Sequence, residues 1–148
     1  MTTDTHSQPL PPAGLFRRLG AFVYDILLLT AILFISAFVA LLFSGGEAVS
    51  PGNPWYQTYL FLLSYIFFAW FWTRGGQTLG MRAWRLRVES MDGSSINLGQ
   101  SLLRFMAGMA TMMMAGLPML WMFVDKDKRT LHDKFSDTRV VALPKVAK

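Results

Sequence analysis

The sequence has no cysteine, which removes disulfides, thiolate zinc sites and thiol nucleophiles from consideration. It is also short of charge: 16% of its 148 residues are Asp, Glu, Lys or Arg, where a soluble domain carries about a quarter. Acids are scarcer than bases, 9 against 14 Lys and Arg, for a net charge of +5. Such a balance can serve nucleic acid, but here the basic residues gather beside apolar runs. That distribution anchors a chain at an anionic membrane face, and no nucleic-acid partner is expected. Nor does the chain bring together a serine, paired carboxylates or a metal triad as a catalytic set, so neither enzyme chemistry nor a metal or other cofactor is expected. What it has is apolar surface: 53% of residues are hydrophobic, in a length suited to one domain.

Residues 1–14, polar and with three prolines, read as a disordered tail. A first span runs over about 19–43, apolar apart from Tyr24, Asp25, Thr30 and Ser36. It is too long for a signal-peptide core and lacks an Ala-x-Ala cleavage pattern, so it is expected to be retained. A second span covers about 55–73, with Trp55, Tyr56 and Tyr59 at one end and Trp70 and Trp72 at the other, as interfacial belts require. Arg17 and Arg18 precede the first span, the link between spans has no Lys or Arg, and Arg74, Arg82, Arg85 and Arg87 follow the second. The positive-inside rule then puts the N-terminus and residues 74–100 in the cytoplasm.

Residues 83–97 alternate in polarity up to Glu89 and then turn at Asp92-Gly93, a β-hairpin signature. A C-terminal strand over about 138–143 is expected to dock on that hairpin, since two short strands alone are marginal. The third apolar segment, about 98–124, is interrupted by Gly116-Leu117-Pro118. The basic residues that follow it also belong in the cytoplasm, which favours a broken, re-entrant segment over one tilted helix kinked at Pro118. The expected fold is an all-α membrane protein: two transmembrane helices, a broken third segment, a small cytoplasmic β-element and a short tail at 144–148.

Asp25 lies about two turns into the first span, where an unpaired carboxylate costs roughly 2.5–3.5 kcal/mol. Arg18, two turns earlier on the same face, and Arg104 are its candidate partners. The pair either fastens helices or forms an ion or proton site, or Asp25 is wetted from the cytoplasmic side. His132 and Asp133 are adjacent and so do not face each other on a helix; Asp133 is expected to cap its helix or reach Arg17, Arg18 or Arg82. Met106, Met109 and Met113 share a helical face and thioethers suit Cu(I), but Met is an adaptable filler beside the small-residue stripe Ala107, Thr111 and Ala115. Helix packing is their expected role. The run Gly75 to Gly80 lacks the Gly-Lys-Ser/Thr ending of a phosphate loop and reads as a turn.

In order and spacing, these motifs resemble the RDD family of small bacterial membrane proteins, named for an arginine and two aspartates. The resemblance rests on Arg18 and Asp25, on Gly76-Gln77-Thr78-Leu79-Gly80-Met81-Arg82, on Leu103-Arg104, and on His132-Asp133 followed by Thr138-Arg139-Val140-Val141. Met81 separates Gly80 from Arg82, and Ser136-Asp137 stands where the family often has Ala-Gly. The resemblance implies residence in the bacterial inner (cytoplasmic) membrane and two candidate roles. One is transport of a small cation or proton through Asp25, balanced by Arg18 or Arg104, with a homo-oligomer supplying the pathway. The other is a non-catalytic scaffold that recruits a partner through its cytoplasmic face.

Overall fold

A computed structural model describes residues 9–145. Helix α1 spans Leu15–Phe43, and its 29 residues, about 43 Å at 1.5 Å per residue, exceed the ~30 Å hydrocarbon core. Among the described residues it is the one unbroken helix both long and apolar enough to cross a membrane. Phe34, Ile35, Phe38 and Phe43 stand exposed along it, a belt that suits lipid and not water.

Helix α2, Pro54–Gly75, starts where Asn53 accepts hydrogen bonds from the backbone N–H of Trp55 (2.9 Å) and Tyr56 (3.3 Å), with Pro54 in the first turn. It stops at Gly76, whose φ of 67° is the left-handed cap glycine favours. Ser36 on α1 donates to the Tyr59 hydroxyl on α2 at 2.7 Å. Phe105 on α4 (Leu98–Met113) packs edge-on against Phe61 and also meets Tyr65, both ring centroids at 5.5 Å.

The short helix α3, Leu79–Ala83, leads into strand β1, Leu86–Ser90. The hairpin expected over 83–97 does not form. The turn at Asp92-Gly93 is present, with Gly93 at φ 85°, but Asn97 then accepts from Gln100 N–H at 2.8 Å while the Gln100 side chain accepts from Asn97 N–H at 3.1 Å. This capping box starts α4 and takes residues 97 onward away from any strand. Strand β1 pairs instead with β2, Thr138–Ala142, antiparallel, from Leu86 opposite Ala142 to Ser90 opposite Thr138.

The N-terminal segment supplies the third layer that two strands need. Ala13 N–H donates to Val140 O at 3.0 Å and Ala142 N–H to Pro11 O at 2.8 Å, bridging Pro12 to Val141. Residues 11–13 are therefore bound to the sheet edge, a place where proline is tolerated, and not part of a loose tail. Residues 1–8 and 146–148 lie outside the described residues. Leu86, Val88, Val140 and Val141 are each exposed by 2% or less.

The third apolar segment breaks where its sequence predicts. Helix α4 ends at Met113, Gly116 has φ 78°, and a 3₁₀ helix over Leu117–Phe123 leaves at 108° to α4. Its two ends return to the same small sheet, because β1 lies just before α4 and β2 follows α5, Leu131–Phe135.

Candidate functional site

Three charged groups far apart in sequence meet where α1, α4 and α5 approach the sheet. Thr130 N-caps α5 and Asp133 closes its capping box, accepting from Thr130 N–H at 3.2 Å. That fixes the carboxylate between two guanidiniums. Arg18 Nη1 donates to one oxygen at 2.6 Å, and Arg104 Nη1 donates to the other. Arg18 also donates to Ala13 O at 3.1 Å and Lys128 O at 3.3 Å, and Arg104 to Thr138 Oγ1 at 3.0 Å. Arg18, Arg104 and Asp133 are 6%, 4% and 0% exposed, so this latch works largely out of water, where charge-assisted bonds are strong and a missing partner is costly.

Burial alone pushes the Asp133 carboxyl up, but Arg104 and then Arg18 outweigh it and hold the group well below the usual carboxylate range. His132 responds the other way. Burial, aided by Arg104 and Arg18 and opposed by Asp133, lowers its pKa from 6.5 to about 4. Its Nε2 lies 3.0 Å from Thr130 Oγ1.

A lowered histidine pKa makes acid the destabilising direction. Between pH 6.5 and about 4 the unfolded chain binds a proton on His132 that the folded chain refuses. Stability is thus full above pH 6.5 and falls with pH through that window, by on the order of 2 kcal/mol between pH 7 and 5. Thermal melts of detergent-solubilised protein should show a lower midpoint at pH 5 than at pH 7. His132→Gln should remove most of that difference; an unchanged pH slope in the variant would assign it to another group.

Asp25 has neither of the expected arginine partners. Its carboxylate accepts from the Thr78 hydroxyl at 2.5 Å and from Gly80 N–H at 2.9 Å, and Thr78 Oγ1 in turn accepts from Met81 N–H at 3.1 Å. Arg18 turns toward Asp133 instead, which offers it a fully buried carboxylate beside carbonyls in reach. Neutral donors at the start of α3 meet the need that a guanidinium was expected to meet. The motif turn thus fastens α3 to α1. Gln77 Nε2 donates to Leu86 O at 2.6 Å and Val88 N–H to Gly76 O at 2.7 Å, extending the fastening to β1. Arg82 is exposed and stands outside this arrangement.

Asp25, Arg18, Arg104 and His132 also border a cavity of about 680 Å³ between α1, α2, α4 and the 3₁₀ helix, whose other walls are mainly apolar. Met106, Met109 and Met113 are exposed on α4, and of the three Met109 borders the cavity. Among the described residues no three His, Asp or Glu side chains converge as a metal-ligand set. Sequence reasoning missed Trp72, whose ring lies 5.3 Å from the Arg104 guanidinium. Nor did the alternation of residues 83–89 give Glu89 a partner. Glu89 is 4% exposed and accepts from Arg139 across the sheet at 2.8 Å, a pairing the register dictates once β2 is known to be the partner.

One helix long and apolar enough to cross a membrane, and a buried arginine–aspartate latch between α1, α4 and α5, define a small, mainly helical protein with a candidate membrane span. The model of the RDD family matches residues 12–137, and the chain belongs to that family. It is 31% identical over 134 residues to "Uncharacterized protein YckC" of Bacillus subtilis (strain 168), a match covering 87% of this chain and 83% of that protein. No solved structure matches.

Proposed function

We propose that this RDD protein is a non-catalytic module of the bacterial inner membrane, whose charged residues lock its segments and whose cytoplasmic face receives a partner. The observation that carries this reading is the commitment of its buried carboxylates: Asp133 to two arginines, Asp25 to Thr78 and Gly80. In this reading the N-terminus and the sheet are cytoplasmic, α1 and α2 cross, and the third segment dips in and returns. The return of its two ends to one sheet supports that path.

A second reading, transport of a proton or small cation by a homo-oligomer, draws on one observation: Asp25 borders the cavity. Flux measurements in proteoliposomes separate the two. The lock reading expects no proton or monovalent-cation flux above protein-free vesicles, and a lower melting temperature for Asp25→Asn. Flux that the wild type supports and Asp25→Asn abolishes would replace it with transport.

A further inference from the structure

The cavity has a polar floor whose hydrogen bonds are incomplete. Arg104 Nε, Trp72 Nε1 and His132 Nδ1 are buried and have no hydrogen-bond partner among the described residues, and all three side chains border the cavity. Arg104 and Trp72 are themselves 4% and 7% exposed. An orphaned buried N–H costs about 1–3 kcal/mol, so those of Arg104 and Trp72 around one space mark a place built for an acceptor.

The charge balance has the same sign. The latch holds two guanidiniums against one carboxylate, leaving one positive charge over. Asp25 lies on the same cavity, but its two oxygens already accept from Thr78 and Gly80. Ser64 and Thr111, also on the wall, spend their hydroxyls on carbonyls of their own helices. Away from the floor the lining is mainly hydrocarbon, including Leu29, Leu33 and Met112, with Thr30 among it, and α1 and α4 scarcely touch, leaving a slot between them. A volume of about 680 Å³ is within the range of small-ligand pockets, about 300–1,000 Å³.

We propose that this cavity binds a long-chain fatty acid, its carboxylate on Arg104 Nε and Trp72 Nε1 and its chain in the slot between α1 and α4. A carboxylate carries one charge and two acceptor oxygens, matching the surplus charge and the Arg104 and Trp72 donors. His132 in the tautomer with Nδ1–H adds a third donor, Nε2 then accepting from the Thr130 hydroxyl. A phosphate monoester, at about −1.5 to −2, overshoots the single surplus charge of the latch. This site is independent of both readings of the overall function.

The full chain in a non-ionic detergent, titrated with the fluorescent fatty acid cis-parinaric acid, tests the assignment. Saturable binding is expected, with oleate displacing the probe at concentrations about tenfold below oleyl alcohol, the ratio set by one charge-assisted hydrogen bond. Trp72→Phe keeps the ring and removes the N–H, and should weaken binding about tenfold. Gly108 borders the cavity, and a Cβ added there meets nothing within 4 Å, so Gly108→Leu fills the slot without disturbing the backbone. It should abolish probe binding with an unchanged or higher melting temperature. Equal displacement by oleyl alcohol would reduce the site to an apolar slot. Tighter displacement by an oleyl phosphate monoester would assign it to phosphate. Probe binding that survives in Gly108→Leu, or a second copy cross-linked through this slot, would overturn the proposal.

Discussion

Asp133→Ala is expected to leave little folded protein. The substitution strands Arg18 and Arg104, two guanidiniums at 6% and 4% exposure, without their shared counter-charge, and it also removes the carboxylate that closes the α5 capping box. Breaking a buried ion pair from one side costs about 3–5 kcal/mol, a large part of the 5–15 kcal/mol typical of whole proteins. Thermal melts and yield from detergent extraction read the effect. The companion variant Arg18→Met, Arg104→Met, Asp133→Leu distinguishes lost attraction from stranded charge, since apolar replacement of a complete buried cluster is often neutral. It should melt well above Asp133→Ala. If the single variant melts as the wild type does, the latch contributes nothing to stability.

The second large effect is expected at Gly80. A Cβ there would collide with the Ala21 carbonyl oxygen and lie 2.9 Å from the Asp25 carboxyl carbon, both on α1 and unable to yield separately. Gly80→Ala must therefore push α3 off α1 and lengthen both Asp25 hydrogen bonds, costing about 2–4 kcal/mol between overpacking and lost bonds. Gly108→Ala serves as the control. With open space around its added Cβ and a helical backbone, it should gain about 0.5–1 kcal/mol. Melting temperatures moving in opposite directions for the two alanines are the expected result; a neutral Gly80→Ala would mean that α3 is not held tightly.

What the sequence made legible follows from periodicity and length. The apolar runs, the break at Gly116-Leu117-Pro118 and the strand near 138–142 are local properties, and each stands close to its expected place. Arg18, Asp25, Arg104 and Asp133 were recognisable because charge is conspicuous in apolar surroundings. Their pairing was legible only in part: Arg18 stood among the arginines offered to Asp133, whereas Arg104 was offered only to Asp25. Helical spacing relates Arg18 to Asp25 on one face, and cannot decide between that carboxylate and Asp133, 115 residues beyond Arg18. The hairpin misreading had a visible remedy: Asn97 and Gln100 form a capping-box pattern, a helix start in competition with a third strand. Trp72 gave no signal beyond its place in an aromatic belt, since its relation to Arg104 exists only after α2 and α4 pack.

The pairing of the N-terminal segment with β2 sets an order of events during synthesis. Pro11 and Ala13 leave the ribosome well before Val140 and Ala142, their hydrogen-bond partners. Through that interval Arg18 is already placed on α1 with no Asp133 to neutralise it, and contacts so distant in sequence close slowly. Nascent chains halted before residue 133 should therefore be the species that membrane proteases clear.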